Sequence, residues 1–185
     1  FPTLSEATKK VPGLFLVGSK DGNGLTEPYY TKQRWNNYRS QGAQVAYAVD
    51  WGAGHSIGGN QGWEGAMTWF VECANLRWPR PLVPSTTPGV LPALIDIDDA
   101  AGWLGDCTIY SAPDTPAVTS DFTPVAPYAS YAGDKLQASW LPNETCARMY
   151  QAFTSTDLVA NRKDIPLQNS VRIACPEQLV DPVPA

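Results

Sequence analysis

Val11-Pro12-Gly13-Leu14-Phe15-Leu16-Val17-Gly18-Ser19-Lys20-Asp21 and, further on, Val45-Ala46-Tyr47-Ala48-Val49-Asp50 are the stretches whose reading decides the fold. Each is a short apolar run with no polar alternation, the pattern of a parallel strand buried on both faces. Between them, Thr26 is placed to cap a helix with Pro28 in its first turn. Thr31, Trp35 and Tyr38 then recur at helical spacing, and Gly42 ends the element. After the second run comes the glycine-rich loop Gly52-Ala53-Gly54-His55-Ser56-Ile57-Gly58-Gly59, followed by Trp63, Met67, Phe70, Val71 and Ala74 on one predicted helical stripe. The order strand, helix, strand, helix implies a parallel pair with crossover helices, an α/β arrangement.

Outside this region the chain changes character. Only three of its 17 prolines precede Pro79, so residues 1–78 read as regular structure. Residues 79–185 read as an irregular Pro-rich tail with short strands, packed on the first part and not an independent domain. Within the tail, Ala93–Asp99 and Cys107–Tyr110 read as strands. Pro142–Phe153 reads as a helix with Cys146, Met149, Tyr150 and Phe153 on one face.

The 185 residues have the size and composition of an ordinary globular domain, 43% hydrophobic and 17% charged. Thirteen basic against eighteen acidic residues leave a net charge of −5, which argues against a nucleic-acid surface. No apolar run approaches the roughly 20 residues of a membrane span. Cys73, Cys107, Cys146 and Cys175 lack close pairing and share the chain with one histidine, so the sequence offers no zinc site. Their even number suits two disulfides, with Cys107–Cys146 the pairing expected because both lie in the tail. With the N-glycosylation pattern Asn143-Glu144-Thr145, this points to a secreted glycoprotein. The start at Phe1 reads as the product of a cut.

Two loops carry candidate chemistry. Asp21 follows the first strand and His55 the second, and in open α/β sheets reactive groups collect at the carboxyl ends of strands. An Asp there can accept the imidazole N–H and orient His55 as general base. Asp50 is the rival acid. Gly54-His55-Ser56-Ile57-Gly58 also fits the G-x-S-x-G nucleophile elbow, which would make Ser56 the nucleophile. That motif needs a later histidine, and His55 is the only one in the chain. Asp96, Asp98, Asp99 and Asp106 lack calcium-loop spacing and read as solvated or capping residues. Trp35 and Trp63 read as core, and Trp51, beside the histidine loop, as a substrate contact.

Val11 to Trp78 resembles the last third of an α/β-hydrolase. Val11–Gly18 with Asp21 is similar to the strand that delivers the acid, and Gly54-His55-Ser56 to the loop that delivers the histidine. The tail, around Gly102-Trp103-Leu104-Gly105-Asp106 and Trp140-Leu141-Pro142, loosely resembles that of secreted esterases and depolymerase-like hydrolases. The resemblance implies the last two parallel strands of a larger sheet and a triad in the order Ser, Asp, His. With no second G-x-S-x-G, the nucleophile is expected on an N-terminal portion or companion chain, and this chain alone is expected to be inactive. The implied activity is hydrolysis of a small or polymeric carboxylic ester without a cofactor. A peptidase or amidase on the same fold, and a non-catalytic binding module, are the alternatives.

Overall fold

The computed structural model describes residues 2–22, 28–50, 53–55, 62–79, 93–107, 110–112, 115–116 and 124–154. It mixes helices and strands, with a small parallel sheet and separate antiparallel pairing in the tail.

After a single capped turn, α1 (Glu6–Lys9), the first apolar run forms β1 (Gly13–Gly18) and the second forms β2 (Val45–Asp50). They pair in parallel, from Gly13 opposite Val45 to Gly18 opposite Asp50. Their side chains divide by the strand period of two. Leu14, Leu16, Ala46 and Ala48 enter one cluster with Trp69, Trp140 and Phe153. Phe15, Val17, Tyr47 and Val49 enter another with Trp35, Tyr38 and Cys107. Both faces of the sheet are therefore covered, as the runs predict.

The crossover is α2 (Pro28–Arg39). It buries Trp35 against the sheet, where the indole N–H donates to the Val45 carbonyl at 3.1 Å. Gly42 follows with φ 86°, the left-handed conformation that ends a helix at least cost in glycine. Thr26, the expected cap, lies outside the described residues.

The second helix, α3 (Gly62–Arg77), turns a different face inward than its sequence stripe implies. Of the stripe Val71 is buried as expected, but Met67 and Phe70 are 47% and 62% exposed, and Ala66, Thr68 and Trp69 are buried in their place. The helix is apolar on two sides, so periodicity alone could not choose between them. Packing does: Gly65 faces Met149 and Phe153, and Trp69 meets Trp140 edge-on at 6.5 Å. The side chain of Trp63 lies outside the described residues.

In the tail, β3 (Trp103–Gly105) lies between β6 (Val125–Pro127) and β7 (Ser139–Leu141), antiparallel to both. A small pair, β4 (Tyr110–Ala112) and β5 (Thr115–Pro116), stands apart. The chain then forms α4 (Glu144–Phe153), whose N-cap Asn143 accepts from the Cys146 N–H at 3.0 Å. Among the described residues no helix is long and apolar enough to cross a membrane.

Three tail expectations change. Ala93 to Asp98 forms no strand, and Asp99–Ala101 is a 3-10 turn. The aspartates direct this: Asp98 caps the turn through the Ala100 N–H, and Asp99 accepts from Gln44 and pairs with Lys10. The Cys107–Tyr110 strand shifts to its flanks, Trp103–Gly105 and Tyr110–Ala112; residues 108 and 109 lie outside the described part. Cys146 and Cys107 lie in core clusters on opposite faces of the parallel sheet, and that separation overturns the expected Cys107–Cys146 bridge.

The tail closes over β2. The Tyr47 N–H donates to the Ser139 hydroxyl oxygen at 2.9 Å, and the Tyr150 hydroxyl joins the same oxygen at 3.1 Å. Buried Arg39 donates to the carbonyls of Ala138, Ala43 and Lys135 at 2.8, 2.9 and 2.7 Å, tying α2 to the segment before β7. On the far side of the sheet, β1 pairs with no strand but β2 among the described residues.

Candidate functional site

The two loops after the parallel strands are knitted together by backbone bonds. Ser19 N–H donates to the Asp50 carbonyl at 3.0 Å and Lys20 N–H to that of Ala53 at 2.8 Å. Asp21 N–H turns back to the Gly18 carbonyl at 3.1 Å. The approach is so close that a Cβ at Gly18 would collide with the carbonyl oxygens of Ala53 and Gly54. Glycine there is a requirement of the site and not only of the strand.

This crossing brings together residues 34 positions apart. His55 Nδ1 lies 3.0 Å from Asp21 Oδ2, a hydrogen bond joining the first strand's loop to the second's. The Asp21 side chain is 4% exposed and that of His55 65%. A buried carboxylate so placed accepts a hydrogen bond from Nδ1–H, which leaves the Nε2 lone pair facing away from Asp21 as the acceptor for a proton. Asp50, the rival acid, is buried at the end of β2 and receives the Ser19 and Ala53 N–H groups on its carbonyl.

A cavity of about 310 Å³ opens beside this pair. It runs along Leu14 to Gly18 and is lined further by Asp21, Asp50 and His55, with Thr31 and Arg34 from α2. The sequence reading places Thr31 at helical spacing with Trp35 and Tyr38 without giving it a site role, and nothing in the sequence singles out Arg34. Trp51, the proposed substrate contact, and Ser56, the rival nucleophile, lie outside the described residues.

The thiols are poor alternatives as nucleophiles. Burial pushes Cys107 up to about 11 and Cys73 up to about 12, and it raises Cys146 as well. Little thiolate exists in such sites at neutral pH. Among the described residues no three His, Cys, Asp or Glu side chains gather as metal ligands. Asp96 pairs with Arg77 at 3.5 Å, Asp98 caps the 3-10 turn, and Asp99 accepts from Gln44 and pairs with Lys10.

No family model matches this chain, and neither do any curated proteins or solved structures.

Proposed function

We propose that this chain supplies the acid and the base of a serine hydrolase acting on carboxylic esters, on an α/β-hydrolase scaffold. The observation that carries the reading is the Asp21–His55 hydrogen bond at the carboxyl ends of adjacent parallel strands. His55 Nε2 takes the proton of a serine hydroxyl as its oxygen bonds to the acyl carbon. It returns that proton to the departing alcohol as the ester C–O bond breaks. A water molecule then gives a proton to His55 while its oxygen bonds to the acyl carbon; the serine–acyl bond breaks, His55 returns the proton to the serine oxygen, and the carboxylic acid leaves. Asp21 holds the imidazolium through Nδ1 and stays ionised. No cofactor takes part.

The serine belongs, in this proposal, to an N-terminal portion or companion chain that extends the sheet past β1. Three features support that direction of growth. The outer side of β2 is occupied, since Val45 and Tyr47 bond Trp35 and Ser139. β1 has β2 as its one strand partner among the described residues, and its residues Leu14 to Gly18 line the cavity. The exposed Met67 and Phe70 of α3 add apolar surface to be covered. The chain alone is then inactive and prone to self-association through that edge. Export of the protein belongs to the same proposal, resting on the acidic composition, the even cysteine count and the Asn143 pattern.

The test is turnover of a nitrophenyl ester and the matching anilide by the whole protein. His55→Ala is expected to lose about three to six orders of magnitude, and Asp21→Asn about four. A loss confined to the ester identifies an esterase, and cleavage of both points to the amidase alternative. Unchanged ester turnover in both variants contradicts the assignment.

A further inference from the structure

The helices α3 and α4 pack against each other in antiparallel order. Gly65 sits beside Met149 and Phe153, with an added Cβ 3.4 Å from the Met149 sulfur, and two turns later Glu72 reaches the start of α4. There Asn143 Nδ2 donates to Glu72 Oε2 at 2.6 Å, while its Oδ1 accepts from the Cys146 N–H at 3.0 Å. Cys73 is thus the residue after one end of this tether, and Cys146 is bonded to the other. Cys146 is wholly buried in the core cluster that Cys73 packs against, along with Trp69, Trp140 and Ala147. Cys107 belongs to the cluster on the opposite face of the sheet.

We infer that Cys73 and Cys146 are the partners of a disulfide that clips α3 to α4. Both are free thiols here. They are near enough that ionised Cys73 adds to the burial that raises the Cys146 thiol. Such a pair does little as a nucleophile or acid but has neighbours for a covalent link. The bond forms by exchange with oxidised glutathione or the disulfide of a folding oxidoreductase. One thiolate attacks that disulfide and expels a thiol; the second cysteine attacks the mixed disulfide and forms the Cys73–Cys146 bond. Two protons and two electrons leave the protein, and the oxidant is reduced to two thiols. Because burial suppresses both thiolates, the exchange belongs to folding, before α4 closes on α3. The link would join residues 73 positions apart and hold the Pro-rich tail to the histidine-bearing part.

The experiment is peptide mapping of the whole protein, refolded in a reduced/oxidised glutathione buffer and alkylated in denaturant without reductant. The expected product is a linked peptide pair containing Cys73 and Cys146 that separates on reduction. Melting temperature should fall by about 10 °C when the bond is reduced. The Cys73→Ser/Cys146→Ser double variant should melt at one temperature with or without reductant. Alkylation of both cysteines in the unreduced protein, or a link from either one to Cys107 or Cys175, would overturn the inference. Neither result depends on the hydrolase reading, because no activity is measured.

Discussion

Arg39→Met tests how firmly the tail is built into the sheet. Arg39 is 2% exposed, and its guanidinium donates to three carbonyls, those of Ala138, Ala43 and Lys135. Methionine fills similar volume and donates nothing. The Ala43 carbonyl keeps the Val45 N–H, so its loss is small. That of Ala138, a residue wholly buried, loses the Arg39 Nε–H, at a cost of about 1–3 kcal/mol. The Lys135 carbonyl lies nearer solvent and loses about 1 kcal/mol. Arg39 also resists its own burial, which lowers its pKa from the usual value, and removing it returns part of that cost. The net expectation is a loss of about 2 kcal/mol, a sizeable share of the roughly 5–15 kcal/mol of a typical fold. At this length it corresponds to a drop of about 4–8 °C in Tm. Urea unfolding of the whole protein, followed by tryptophan fluorescence, measures it. Arg39→Lys, able to serve one carbonyl at a time, should fall between parent and Met variant. If Arg39→Met unfolds within about 1 kcal/mol of the parent, the tail is not held in the way described.

Three further outcomes are expected. Gly18→Val drives a side chain into the Ala53 and Gly54 carbonyls; it should cost about 3 kcal/mol and reduce ester turnover far more than the control Val11→Thr, as read by urea unfolding and steady-state kinetics. Asn143→Ala removes the cap of α4 and the bond to Glu72; thermal melting should show a loss of about 1–2 kcal/mol, and an unchanged Tm would refute the tether. Cys107, buried and raised to about 11, should resist iodoacetamide at pH 8 in the folded protein and react once unfolded, as followed by mass spectrometry.

The parallel pair was legible because its signal is local. Two apolar runs, each bounded by glycine or a loop, fix two strands, and the residues just past them fix where Asp21 and His55 stand. The meeting of those residues at 3.0 Å needed no more than adjacency of the strands. The face of α3 was not legible, since Gly65 and Trp69 gain their meaning only against Met149, Phe153 and Trp140, about 80 positions away. The same holds for the cysteines. Cys107 and Cys146 share the tail in sequence, but the chain carries them to opposite faces of the parallel sheet. Ala93–Asp99 misled because Ile95 and Ile97 alternate like a strand while neighbouring carboxylates bond Arg77, Gln44 and the turn. Arg34, which lines the cavity, has no pattern around it that distinguishes a cavity wall from a solvated helix face.

The central claim is that Asp21 and His55 activate a serine outside these 185 residues. Labelling the whole protein with a fluorophosphonate and mapping the adduct by mass spectrometry tests it most directly. The account predicts one modified serine, on the segment that completes the sheet, and loss of labelling in His55→Ala. An adduct on Ser56, or labelling that persists without His55, would contradict it.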